Sequence, residues 1–186
     1  MRLSSFLLTL IAIVPYLLQA QEASLLQSVS PIRSDSTCVI NCEDPGYRLM
    51  TQVIDGETIT REYIIHVPSG YQEGDNLPLV IVYHGFGGCA YYMADETGGL
   101  NDLADEENFF VAYPQAAYRP AKEATYWEPG FNGGESIYLD DIFFSEQLIE
   151  HIDEEFSLDL SRLYAAGYSN GGMLTYSLAC LRGDLF

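Results

Sequence analysis

The chain has 186 residues, of which 27 are Asp or Glu and 8 are Lys or Arg, so its formal charge is −19. So acidic a surface repels nucleic acid and anionic membranes, which excludes both as partners on electrostatic grounds. With 48% hydrophobic residues the chain is nonetheless globular rather than a solvated acidic tail.

In chain order, residues 1–20 combine a basic start at Arg2 with an apolar run from Phe6 to Leu18 and a small residue, Ala20, at the end. This is the pattern of a secretory signal peptide and is too short for a membrane span. Its removal takes away one basic residue and no acid. Residues 21–46 are rich in Ser, Pro and Asp with little periodicity, and are expected to form a lead-in of low structural content. The domain proper is expected over 47–186. Four cysteines in an exported chain permit disulfides. Cys38 and Cys42 could close a small loop, while Cys89 and Cys180 fall in core-like pattern and could be paired or free. A lone Cys-x-x-x-Cys without a second ligand pair does not make a zinc site.

Arg48–Ile54 and Thr58–Val67 are β-branched or apolar-rich and flank Asp55-Gly56, a strong hairpin signal. Leu77–Tyr83 is a continuous apolar run, as expected of a strand buried on both faces. It leads into His84-Gly85-Phe86-Gly87-Gly88. Leu100, Leu103 and Ala104 mark a short helix, and Phe109–Tyr113 a second buried strand ended by Pro114. Residues 115–136 read as a long loop carrying Tyr118, Tyr126 and Trp127. Asp140 and Asp141 open a helix with apolar positions at Phe144, Leu148, Ile149, Ile152 and Phe156, where acids oppose the positive end of the helix dipole. Leu163–Gly167 is a strand, and an apolar helical pattern runs on to Leu181. Alternation of this kind predicts an α/β sheet, mostly parallel and flanked by helices, with an antiparallel hairpin at its start.

The chemistry concentrates at Gly167-Tyr168-Ser169-Asn170-Gly171-Gly172. A Gly-x-Ser-x-Gly turn between strand and helix presents its serine on a strained elbow, which makes Ser169 the candidate nucleophile. Acyl transfer builds negative charge on a carbonyl oxygen, and backbone N–H groups are its usual stabilisers. The N–H of Asn170 and one from the glycine-rich turn, that of Phe86, are the candidate donors. His84 opens that turn and is expected to brace it rather than titrate. His66 and His151 sit in structural contexts. Tyr118, Tyr126 and Trp127 are candidates to stack on an acyl group or a sugar, packing on the core being the competing role. No nucleotide or metal motif is present, and the chemistry needs no cofactor.

These motifs resemble the secreted poly(3-hydroxybutyrate) depolymerase and feruloyl or acetylxylan esterase group of the α/β-hydrolase superfamily. The resemblance is carried by Arg61-x-Tyr63 to Pro68, Leu77 through Gly85, Phe109–Pro114, Asp140-Asp141-Ile142-x-Phe144, Gly167–Met173 and Ala179–Phe186. It implies the N-terminal part of an α/β-hydrolase fold. It further implies a serine hydrolase of carboxylic esters, polyhydroxyalkanoates or acyl groups on plant polysaccharide, with a structural role for Asp141 and Trp127. In that superfamily the triad order is serine, acid, histidine. No histidine follows Ser169, so the acid and histidine are expected beyond Phe186, in a C-terminally incomplete chain. The alternatives are a pseudoenzyme or binding module that keeps the fold without the triad, and a peptidase of the same fold.

Overall fold

In the computed structural model, residues 44–54, 57–97, 99–119, 122–129 and 141–186 are described. The signal-peptide segment, most of the lead-in including Cys38 and Cys42, and the Asp55-Gly56 turn lie outside them, as do residues 130–140.

The hairpin forms where the sequence places it. Strands β1 (Tyr47–Ile54) and β2 (Glu57–His66) pair antiparallel from Tyr47 opposite Ile64 to Ile54 opposite Glu57. β3 (Leu77–Tyr83) is followed by helices α1 (Ala90–Glu96) and α2 (Leu100–Glu107), then β4 (Phe110–Pro114). Two residue pairs, β5 (Tyr118–Arg119) and β6 (Ala124–Thr125), form a minimal ladder within the long loop. α3 (Asp141–Phe156), β7 (Leu158–Gly167) and α4 (Asn170–Leu181) complete the order. The main sheet runs β1-β2-β4-β3-β7, with β4, β3 and β7 parallel and β2 antiparallel to β4. Three features differ from the sequence-based expectation: α1 and the β5–β6 ladder appear, and β7 begins five residues earlier than its apolar stretch. Asp159 and Arg162 pair with each other in that early part, so the polar residues there do not interrupt the strand.

Alternation along each strand explains the layers. Leu79, Ile81 and Tyr83 of β3, with Phe110 and Ala112 of β4, join Phe144, Leu148 and Ile152 of α3 and Leu174 and Leu178 of α4. Val80 and Val82, with Val111 and Tyr113, face Ala90 and Met93 of α1 and Ala104 and Leu100 of α2. The apolar run of β3 is continuous because both of its faces are covered. In α3 the residues Phe144, Leu148, Ile152 and Phe156 recur every four positions and are all buried, while Glu150, Glu154 and Glu155 are exposed. No described helix is long and apolar enough to cross a membrane.

This arrangement fixes where a site can form. The helix after β3 covers one face and the helix after β7 covers the other. Their neighbouring carboxyl ends therefore open a crevice at the switch in winding direction, the usual ligand position in open α/β sheets. The turn His84–Gly88 and the residue Ser169 lie at those two ends.

Candidate active site

β7 ends at Gly167, and Tyr168 donates its N–H to the Tyr83 carbonyl at 3.1 Å, stitching the end of β7 to that of β3. The chain then reverses at Ser169, which has φ 52° and ψ −114°. Positive φ at a non-glycine residue carrying a Cβ is strained, and such strain is held where surrounding structure over-determines it. Here the determinants are the two flanking glycines. A Cβ on Gly171 would collide with the carbonyl oxygens of Tyr83 and His84, and one on Gly167 with the Gly171 backbone. The elbow can thus close only with hydrogen at both positions. Ser169 itself is exposed and makes no capping hydrogen bond to α4.

The glycine-rich turn lies alongside. A Cβ placed on Gly85 would stand 3.5 Å from Ser169 Cβ and 3.0 Å from Tyr168 Cδ1, so this backbone approaches the serine without a side chain between them. The turn is closed by Gly88 N–H to Gly85 O at 3.0 Å. Among the described residues, no hydrogen bond occupies the N–H of Phe86 or of Asn170. Both candidate donors thus have no partner among these residues, and the N-terminus of α4 adds its partial positive charge beside Ser169.

His84 is buried, and that burial lowers its pKa to about 4. Its Nδ1 lies 2.7 Å from Gly85 O, so Nδ1 carries the proton. Nε2 then accepts from Ala116 N–H at 3.0 Å and from Gln115 Nε2 at 3.2 Å. Every ring nitrogen is committed to bracing the turn, as the sequence suggested. His66 pairs with Asp105 at 3.0 Å, and His151 meets the edge of Tyr63. Among the described residues no histidine bonds to Ser169.

The aromatic candidates separate. Phe86 is 54% exposed and meets Tyr126 edge-to-face at 5.8 Å, so the two rings form a pair beside the glycine-rich turn. Trp127 is fully buried, with its ring against Tyr83, His84 and Phe144. It offers no face to a substrate, and of the two roles open to it the packing role is the one the structure displays. Tyr118 lies in the β5–β6 ladder.

Asp141 is the centre of a buried ion cluster that the sequence did not reveal. Its Oδ1 accepts from Arg61 at 2.8 Å, and its Oδ2 from Arg119 at 2.8 Å and from the Glu128 N–H at 2.7 Å. Arg61 also donates to Gln52 at 3.0 Å and lies 3.6 Å above the Phe144 ring. Burial pulls the Arg61 pKa down, and Asp141 opposes that shift. The signal available in sequence was Arg61 itself, a charge at a core-facing position of β2. Cys89 is disulfide-bonded and Cys180 is free and exposed, so these two are not paired with each other.

No protein-family model matches the chain. The chain is 30% identical over 131 residues to a probable feruloyl esterase C of Aspergillus terreus, spanning 68% of this chain and 43% of that protein. It is 32% identical over 126 residues to poly(3-hydroxyalkanoate) depolymerase C of Paucimonas lemoignei, spanning 65% of this chain and 28% of that protein. The chain thus spans less than half the length of these two relatives. An acetyl xylan esterase from Aspergillus awamori superposes with a TM-score of 0.54 at 19% identity, covering 75% of this chain and 48% of that structure, a likeness of fold. By sequence the chain is similar to feruloyl esterases and a poly(3-hydroxyalkanoate) depolymerase, and its fold is part of an α/β-hydrolase fold.

Proposed function

We propose that this protein is a secreted serine esterase that cleaves carboxylic esters, of polyhydroxyalkanoates or of acyl groups on plant polysaccharide, through an acyl-enzyme on Ser169. The observation that carries the reading is the strained, exposed Ser169 at φ 52° beside two backbone donors that have no partner among the described residues. Ser169 Oγ attacks the ester carbonyl carbon, and the electron pair moved to oxygen is held by the N–H groups of Phe86 and Asn170. Collapse expels the alcohol and leaves an acyl group on Ser169, which water then removes. The proton from Oγ requires a base. His84 is committed to the turn and uncharged above about pH 4, and His66 and His151 bond elsewhere. The base is accordingly a histidine supplied, with its orienting acid, by sequence beyond Phe186, as the greater length of the relatives allows. Tyr126 and Phe86, paired beside the glycine-rich turn, are placed to contact the acyl or alcohol portion.

Ser169→Ala in the full-length protein tests this. Because nucleophile and base act as a unit, turnover of a short p-nitrophenyl ester should fall by about a thousandfold or more with the fold unchanged. Retention of most of the wild-type rate would remove Ser169 as nucleophile.

A further inference from the structure

One residue touches both halves of the oxyanion hole. Asn170, whose N–H is one donor, is buried and grips the backbone of Trp127 twice. Its Oδ1 accepts the Trp127 N–H at 2.8 Å, and its Nδ2 donates to the Trp127 carbonyl at 3.0 Å. The indole of the same Trp127 turns the other way and donates Nε1–H to the His84 carbonyl at 2.8 Å. That carbonyl lies two residues before Phe86, the second donor. The chain around Trp127 adds two further ties to this turn: Thr125 O accepts from Gly87 N–H at 2.8 Å, and Thr125 Oγ1 donates to Gly88 O at 2.7 Å. The ring is wedged between Tyr83 at 5.2 Å, edge on, and Phe144, nearly parallel at 6.3 Å. Its far end is anchored as well, since Asp141 holds the next N–H, that of Glu128.

We propose that Trp127 is a positioning residue that sets the separation of the two oxyanion donors. Its backbone fixes the α4 side through the Asn170 carboxamide, and its indole N–H fixes the turn side through His84 O. This rests on the esterase reading above. The two donors sit on segments separated by more than eighty residues; the Tyr168 N–H to Tyr83 carbonyl bond joins the strand ends, and this bridge adds a tie from Asn170 itself to the turn. Preorganisation of an oxyanion hole needs its donors held at a set spacing before charge develops, and displacement by about 1 Å can cost a hundredfold in rate. A wedge of fixed size, hydrogen-bonded at both ends, meets that need in a way that two independently tethered loops do not.

The test uses the full-length protein and p-nitrophenyl acetate. Trp127→Phe keeps an aromatic ring in the slot but removes the indole N–H together with part of the ring volume, and Asn170→Ala keeps the backbone donor and removes the carboxamide clamp. Each should lower kcat about tenfold to a hundredfold with KM nearly unchanged. The double variant should lose little more than the worse single one, because both cut the same bridge. Leu148→Ala, in the same core and away from the turn, should lose stability while its folded molecules keep the wild-type kcat. Isotope-labelled NMR supplies a readout without catalysis: the Phe86 amide resonance should move in both variants, and the Asn170 amide resonance in Trp127→Phe. If the wild type shows no Ser169-dependent turnover but these resonances move, the esterase reading fails and the bridge stands. A wild-type kcat in folded Trp127→Phe and Asn170→Ala, or unmoved resonances in both, would overturn the proposal. Should Trp127→Phe fail to fold, Asn170→Ala alone decides by the same two readouts.

Discussion

At the scale of the residue, burial decides which charges matter. Asp141 is accommodated inside the core because two guanidinium groups and a backbone N–H replace its water. Removing it leaves Arg61 buried without a counter-ion, so Asp141→Ala should destabilise the fold by about 3–5 kcal/mol, measured by urea unfolding. A loss below about 1 kcal/mol would show that water or Gln52 can satisfy Arg61 unaided. His84 yields the opposite kind of prediction, on pH. Its folded pKa, about 4, lies below the ordinary value near 6.5. Between these values the unfolded chain binds a proton that the folded chain excludes. Stability is therefore highest above about pH 6.5 and falls as the pH drops toward 4, by a total on the order of 3 kcal/mol. His84→Gln should be less stable at neutral pH yet show a flatter profile across that window. Matching slopes for wild type and variant would mean His84 is not the titrating group.

At the scale of the element, the elbow and the edge of the sheet behave differently. The elbow is legible in the sequence because its constraint is local: two glycines are required wherever a strand turns into a helix this tightly, and they flank Ser169 visibly. The status of β7 is not local. Among the described residues β7 pairs with β3 alone, and Leu160 and Tyr164 on it are each 53% exposed. Tyr168, Met173 and Tyr176 continue that apolar exposure onto the elbow and α4. A long strand with an open edge and apolar side chains is a template for pairing with other chains. Tyr164→Lys should therefore raise the concentration at which residues 21–186 remain monomeric, followed by light scattering. No change would indicate that association, if any, uses another surface.

At the scale of the whole molecule, charge is the dominant imbalance. Among the described residues Arg48, Arg61, Arg119, Arg162 and Arg182 pair with carboxylates, and over the whole sequence 27 acids face only 8 basic residues. Mutual repulsion among the acids opposes the compact state, and salt screens it over a Debye length of about 8 Å at physiological strength. Raising sodium chloride from about 10 mM to about 150 mM should raise Tm, with little further gain once the length drops below typical charge spacings. A Tm that falls over that range would show that the surface ion pairs outweigh the repulsion.

Periodicity and turn chemistry were enough to read the hairpin, the buried strands, the amphipathic α3 and the serine between its glycines, because each is set by residues adjacent in the chain. The same adjacency argument placed the glycine-rich turn after β3 and assigned His84 a bracing role, for which the structure supplies the partners Gly85, Gln115 and Ala116. The fate of Trp127 could not be read this way. A tryptophan in a loop is equally compatible with a binding face and with a buried wedge, and the choice depends on Tyr83, Phe144 and Asn170, which approach it only after the sheet has formed. The cluster of Arg61, Arg119 and Asp141 is hidden for the same reason: its members lie on three separate segments, and a charge is recognisable as buried only once its counter-charges are in place. Local pattern alone thus read the main strands, the long helix and the Gly-x-Ser-x-Gly turn. Only the tertiary structure decided which polar and aromatic side chains hold the site together, because their energetics are set by desolvation and by partners distant in sequence.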